Sequence, residues 1–253
     1  SNELIMRRSR IYCEQSLSVG QSMELDQRNS HYLLHVLRVK ADQTLILFDG
    51  HGADYRATIS DVSRKTVNVL IHEKMSAEDT VTESPLQLTL AIAISKGERM
   101  DWVMQKATEL GVTRIQPLIT KRVDVKLNAE RMAKRMDHWL GVVIGACEQS
   151  GRPVLPELLA PKPIASWLTE ENGDFKLVLR AHGTKLTTLA TNVVAKPEHV
   201  SILIGPEGGL DEAELALAES AGFLATGFGP RILRTETAPI VALSLLQEKW
   251  GDF

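Results

Sequence analysis

Ser201-Ile202-Leu203-Ile204-Gly205-Pro206-Glu207-Gly208-Gly209 reads as a buried strand that runs straight into a loop holding three glycines. A helix follows from near Asp211, with Glu214 three residues later as a capping-box partner. Without Cβ atoms, such a loop can turn sharply and let backbone approach a ligand. Strand, loop and helix in this order predict an α/β domain. Open sheets of that kind bind ligands beyond the carboxyl ends of their strands.

The same rhythm extends on both sides. Leu86 to Ile94 is a nearly continuous apolar run, as expected of a strand covered on both faces. Trp102 to Leu110 is predicted helical and ends at Gly111; Arg114 to Ile119 is a second strand. Asn128 is placed to cap a long helix, with Met132, Met136, Trp139, Leu140, Val143, Ile144 and Cys147 in one stripe. Leu177-Val178-Leu179 is another buried strand, so the sheet is expected to be mostly parallel.

A second unusual loop, Gly229-Pro230-Arg231-Ile232-Leu233-Arg234-Thr235-Glu236-Thr237-Ala238-Pro239, follows the strand-like Leu224 to Phe228. It precedes a helix from about Pro239 to Lys249, and proline suits a first helical turn. Arg231 and Arg234 sit among apolar neighbours, which favours an anionic partner: a ligand, or structurally Glu236. No Gly-x-Gly-x-x-Gly or Gly-x₄-Gly-Lys-Ser/Thr pattern occurs, which argues against a dehydrogenase or an NTPase. No Gly-x-Ser-x-Gly elbow supports a hydrolase. His31 and His35 stand at metal-ligand spacing without a third ligand nearby, so a packed or solvated pair is expected and no metal.

Residues up to about 75 have a different texture. Leu45 to Phe48, Tyr55 to Ile59 and Val67 to Ile71 read as short strands. One helical piece, capped by Asn29 or Ser30, aligns Leu33, Val36 and Leu37. Short strands with one helix suggest a small β-barrel. The polar stretch from Ser76 to Pro85 reads as a linker.

The 253 residues carry net charge −3, with 43% hydrophobic and 24% charged residues, so any contact with RNA must be local. Basic residues segregate: Arg7, Arg8 and Arg10; Lys96 and Arg99; and seven basic against two acidic residues between 110 and 135, including Lys121 and Arg122. Two widely spaced cysteines and no apolar run of about 18 residues fit a cytoplasmic protein with no membrane partner.

Ile204-Gly205-Pro206-Glu207-Gly208-Gly209-Leu210 and Leu233-Arg234-Thr235-Glu236-Thr237-Ala238 closely resemble the bacterial ribosomal RNA small-subunit methyltransferase E family. His35-Val36-Leu37-Arg38, Phe48-Asp49-Gly50, Lys96 to Met100, Gln105 to Gly111 and Ala146 to Arg152 match as well, so the resemblance runs from about Met6 to the end. It implies a PUA-like, RNA-binding β-barrel at 1–75, a linker at 76–84, and a SPOUT α/β domain at 85–253 with a deep trefoil knot. It further implies a homodimer that transfers a methyl group from S-adenosylmethionine to N3 of one uridine in 16S ribosomal RNA of the assembled small subunit.

Carried over by position, the cofactor lies among three loops: one at Leu179, one at Ile204, Gly205, Pro206, Glu207 and Gly208, and one at Gly229, Ile232, Leu233, Arg234 and Thr235. The first of these reads Arg180-Ala181-His182-Gly183, where the match to the family pattern breaks. Arg234 is the expected catalytic residue, with Glu236 orienting it. RNA contacts are expected from Arg7, Arg8, Arg10, Arg38, Lys96, Arg99, Lys121 and Arg122. Two alternatives stand beside this reading: a knotted methyltransferase for another RNA site or a ribose 2′-hydroxyl, and a noncatalytic RNA-binding assembly factor.

Overall fold

Alternation of buried and solvated residues builds the first sheet. The computed structural model describes residues 9–122, 128–170 and 173–253. β1 (Arg10–Tyr12), β2 (Ser22–Glu24), β3 (Thr44–Phe48), β4 (Asp54–Val62) and β5 (Val67–Lys74) form a five-stranded sheet in the order β1-β3-β4-β5-β2. β1 pairs parallel with β3, and the other pairs are antiparallel. Val67, Val69 and Ile71 point inward against Ala57, Ile59, Leu45 and Leu47, all buried.

α1 (Gln27–His31) passes directly into a π-helical turn, Tyr32–Val36. Its cap is Asp26, not Asn29 or Ser30: the Asp26 carboxylate accepts the Asn29 N–H at 2.8 Å. Asn29 instead donates its side-chain amide to the Tyr12 carbonyl, and the Ser30 hydroxyl donates to Leu25 O and accepts the Val67 N–H. Leu33 is buried as expected, but Val36 and Leu37 are exposed. The wider pitch of the π turn, closed by Leu37 N–H to Tyr32 O, turns them off the apolar face. His31 and His35 stack with ring centroids 4.5 Å apart.

The first compact unit comprises the described residues up to Glu83 and also takes in Cys147–Leu155. No shift in composition marks this return, and the sequence reading, which ends the first domain at 75, does not contain it. Side chains explain it. The Tyr12 N–H donates to Glu148 at 3.1 Å, and Arg152 grips Glu83 with two N–H groups at 3.0 and 2.5 Å. Arg10 is ion-paired with Asp54 and donates to the Arg152 carbonyl. Cys147 is fully buried, and burial pushes its thiol up to about 11.

Burial also raises the Glu148 carboxyl above its ordinary value, although the Tyr12 N–H opposes it. The folded state therefore takes up this proton at higher pH than the unfolded chain does. That stability is present below the unfolded value and is lost as pH rises through the folded one. Glu148→Gln keeps an acceptor for Tyr12 and removes the charge. Thermal melts from pH 4 to 8 are expected to show it at least as stable as wild type at pH 7, with no such gain at pH 4. A variant that melts well below wild type at pH 7 and level with it at pH 4 reverses the sign.

The second unit comprises the described residues of 84–146 and 156–253. Its strands are β6 (Gln87–Ala93), β7 (Arg114–Ile119), β8 (Glu157–Leu158), β9 (Lys162–Pro163), β10 (Phe175–Thr184), β11 (His199–Ile204) and β12 (Leu224–Thr226). They run in the order β12-β10-β11-β6-β7-β8, β9 also pairs with β7, and every pairing is parallel. The helices are α2 (Arg99–Glu109), α3 (Ala129–Ser150), α4 (Ile164–Glu170), α5 (Leu186–Ala190), α6 (Glu212–Ser220) and α7 (Thr237–Trp250). Asn128 caps α3 through the Arg131 N–H at 2.8 Å.

Both faces of this sheet are covered, which is why its central strands are mostly apolar. Leu90, Ile92, Leu177, Ile202 and Ile204 pack with Met104, Trp139 and Leu243 on one side. Ala91, Val178 and Leu203 pack with Trp167 and Phe223 on the other. Among the described residues no helix is long and apolar enough to cross a membrane.

Candidate active site

The carboxyl ends of β10, β11 and β12 lie side by side, and three loops leave them. After β11 the Gly209 N–H returns to the Pro206 carbonyl at 2.8 Å, closing a tight turn. Asp211 then caps α6 in the expected capping box, accepting the Glu214 N–H at 2.7 Å while Glu214 accepts the Asp211 N–H at 3.0 Å. The Glu214 N–H also holds the Asp211 carboxyl below its ordinary value. The second Glu214 oxygen accepts the Lys121 N–H at 3.1 Å, so the helix start is tied to the β7 end.

At β10 the register jumps. Leu179 and Thr184 both stand opposite Thr226, so Arg180-Ala181-His182-Gly183 bulges out of the sheet, with His182 at φ +59°. The buried Thr226 hydroxyl and the Gly227 N–H both donate to the Thr184 carbonyl, at 2.9 and 3.2 Å, and close the base of the bulge. After β12 the chain reaches Arg234, whose carbonyl accepts the Thr237 and Ala238 N–H groups, each at 3.0 Å, and starts α7.

These three loops enclose one cavity of about 550 Å³. Leu179 and Ala181 come from the first, Ile204 through Leu210 from the second, and Ile232 through Glu236 from the third; Arg99 and Ala238 complete it. The walls mix apolar groups (Leu179, Ile204, Leu210, Leu233) with charged ones (Arg99, Glu207, Arg234, Glu236). The size and mixture suit a ligand with one flat apolar part and one charged part.

Comparison with known proteins bears on what that ligand is. Residues 82–247 match the family model of the RNA methyltransferase domain, and residues 25–71 match that of the RNA methyltransferase PUA domain. The ribosomal RNA small subunit methyltransferase E of Buchnera aphidicola is 33% identical over 96% of this chain and 94% of its own length. The chain belongs to the ribosomal RNA small subunit methyltransferase E family.

Solved structures agree. The family member from Neisseria gonorrhoeae, bound to S-adenosyl methionine, is 38% identical with a TM-score of 0.87, over 97% of this chain and 99% of its own. A Legionella pneumophila chain with the bound cofactor SAM is 43% identical with a TM-score of 0.92, over 98% and 100% of the two chains.

The expected site residues fall into two groups. Leu179, Ile204, Gly205, Pro206, Glu207, Gly208, Ile232, Leu233, Arg234, Thr235 and Glu236 all line the cavity. Gly229 does not; it lies at a second cavity of about 540 Å³ between Phe228, Lys185 and Lys249, because the turn carries it away from the loop tip. Glu236 does not orient Arg234 here: its carboxylate accepts the Thr235 hydroxyl at 3.3 Å, and among the described residues no side chain is paired with Arg234.

The cations expected on RNA divide more sharply. Arg10 is 11% exposed in its ion pair with Asp54 and stacks over Phe48, so it supports the first unit. Arg99 donates to Glu207 at 2.6 Å and Arg122 to the Gly208 carbonyl at 2.6 Å, so both brace the glycine loop. Lys121 faces Asp211 at 3.6 Å with its ammonium largely exposed. Arg38 and Lys96 are exposed, Arg38 at φ +49°. Arg7 and Arg8 lie outside the described residues.

Gly209 belongs to the glycine loop read as the cofactor loop and lines the cavity with it; Ala181, Leu210 and Ala238, quoted within the loops but assigned no contact, line it as well. Leu210 and Ala238 lie within two residues of assigned ones, and extending each loop to its helix includes them. Ala181 lies in the bulge made by the register jump opposite Thr226.

Proposed function

We propose that this chain methylates N3 of one uridine in 16S ribosomal RNA of the small subunit, with S-adenosylmethionine as methyl donor and the three-loop cavity as the active site. The single observation that carries this reading is that the two Gly-Pro loops, together with the β10 bulge, line one cavity of about 550 Å³. The bound S-adenosyl methionine of the N. gonorrhoeae relative supports it.

When bound, the cofactor supplies a methyl group on a cationic sulfur. The chain's own residues do the rest. Leu179, Ile204 and Leu233 would give the cofactor's adenine apolar walls, and backbone groups of Gly205 to Leu210 would bind its polar edges. Arg234 meets the negative charge that spreads over O2 and O4 as the uridine N3 proton passes to water, an interaction stronger in the transition state than before it. The Thr235 hydroxyl holds the Glu236 carboxylate beside the same loop. Ile232, 96% exposed on the cavity lip, covers the site once RNA arrives.

The first unit is a PUA-like barrel that grips RNA, as its family match supports. The second is a SPOUT fold whose chain end is knotted. Exposed Trp102 on α2 and Leu245 on α7 support a homodimer.

The test is isotopic. Unmethylated small subunits are incubated with the protein and S-adenosylmethionine carrying a deuterated methyl group, and the rRNA nucleosides are analysed by mass spectrometry. Labelled 3-methyluridine is expected. A label on a ribose 2′-hydroxyl points to the related knotted enzymes, and no label points to a noncatalytic assembly factor; either outcome overturns the proposal.

A further inference from the structure

A third cavity, of about 590 Å³, opens at the carboxyl end of β6, the strand next to β11 in the sheet. It is lined by Ser95, Lys96, Gly97, Arg99, Arg122 and Glu207 among others, and it shares Arg99 and Glu207 with the candidate active site. Its floor is held from beneath, where Arg135 donates to the Ser95 carbonyl at 2.9 Å. Gly97 sits at φ +62° with no heavy atom near the place of a Cβ, so the rim is open.

Three cations, Lys96, Arg99 and Arg122, and two carboxylates, Glu98 and Glu207, therefore line one hollow beside the methyl-transfer site, a net positive balance. Arg99 and Arg122 are held by the same loop. Arg99 spends an N–H on Glu207 and Arg122 an N–H on the Gly208 carbonyl, each at 2.6 Å. A guanidinium has five N–H groups, so each retains donors for another acceptor. Holding the two forks in advance lowers the ordering cost of binding an anion. The loop that fixes them, Pro206 to Gly209, is also a wall of the active-site cavity. Anything that orders this loop orders the cation pair.

We propose that this cavity is a phosphodiester site for the RNA strand carrying the target uridine, and that Arg99 is a positioning residue coupling RNA affinity to cofactor occupancy through Glu207. The proposal rests on the methyl-transfer reading of the neighbouring cavity. Coupling of this kind is reciprocal: cofactor tightens RNA by the factor by which RNA tightens cofactor.

The experiment measures binding of the full chain to unmethylated small subunits, with and without S-adenosylhomocysteine, over a range of salt. Cofactor affinity alone is measured by calorimetry. Lys96→Gln, whose residue lines this third cavity and not the active-site cavity, is expected to leave S-adenosylhomocysteine affinity within about twofold. It is expected to weaken RNA binding about five- to tenfold and to reduce the slope of log affinity against log salt by about one. Arg99→Gln is expected to cut the cofactor-induced gain in RNA affinity to near unity. Wild-type RNA affinity and salt slope in Lys96→Gln, or a wild-type cofactor-induced gain in Arg99→Gln, overturns the proposal. A wild-type chain that binds no S-adenosylhomocysteine instead overturns the methyl-transfer reading.

Discussion

Arg234→Ala is expected to bind S-adenosylhomocysteine within about threefold of wild type while kcat falls by about 10²–10³-fold, the usual loss when one donor to developing negative charge is removed. The separation follows from where the residue's parts lie. Its carbonyl starts α7 by accepting the Thr237 and Ala238 N–H groups, and alanine keeps that carbonyl. Its guanidinium is exposed on the cavity wall, and among the described residues no side chain is paired with it, so truncation leaves no buried charge behind. Ile204, Leu179 and Leu233 remain to hold the nucleoside part. Arg234→Lys is expected to recover only part of the rate, because an ammonium offers a point charge where a planar fork can set its N–H groups on O2 or O4 and leave the N3 lone pair free to attack. Calorimetry and single-turnover methylation at saturating cofactor check both variants. Abolished cofactor binding with unchanged turnover would assign Arg234 to the cofactor and not to the acceptor.

The same loop shows how far a sequence can be read here. Largely apolar runs located β6 and β7 closely: Arg114 to Ile119 is β7 from end to end, and its one buried polar side chain, Gln116, donates to the Pro117 and Ala160 carbonyls. Local chemistry was legible too. Asp211 with Glu214, and Asn128 with Arg131, are contacts three residues apart that a sequence carries by itself. What failed needed distant partners. Asn29 and Ser30 look like caps, but Tyr12, Leu25 and Val67 claim their side chains and leave the cap to Asp26. Arg10, Arg99 and Arg122 were read by their charge alone, and charge does not say whether the partner is a phosphate, Asp54, Glu207 or a carbonyl. The return of Cys147–Leu155 to the first unit depends on Arg152 meeting Glu83, 69 residues away. The break at Arg180 to Gly183, where the family pattern lapses, turned out to be a bulge whose shape is set by Thr226 and Gly227.

Gly183→Ala is expected to cost about 3 kcal/mol or more of stability, lowering the melting temperature by roughly 6–12 °C for a unit of this size. A Cβ on Gly183 would stand 2.5 Å from the Thr226 carbonyl carbon, 2.7 Å from its oxygen and 2.8 Å from the Gly227 nitrogen. These are backbone atoms, with no rotamer to move aside. Nor can they retreat, since Gly227 N–H and the Thr226 hydroxyl are both bonded to the Thr184 carbonyl, one residue beyond the insult. Relief must come from the bulge, and the bulge carries Ala181 on the active-site wall. Cofactor affinity is therefore expected to fall as well, by more than tenfold in whatever fraction remains folded. Gly229→Ala separates crowding from backbone strain. Gly229 has φ +76° but open space where its Cβ would go, so alanine there meets only the left-handed penalty, about 1–2 kcal/mol. Thermal melts rank the two: if Gly183→Ala melts within 2 °C of wild type, or above Gly229→Ala, the close passage of the two chain segments is not what holds the bulge in shape.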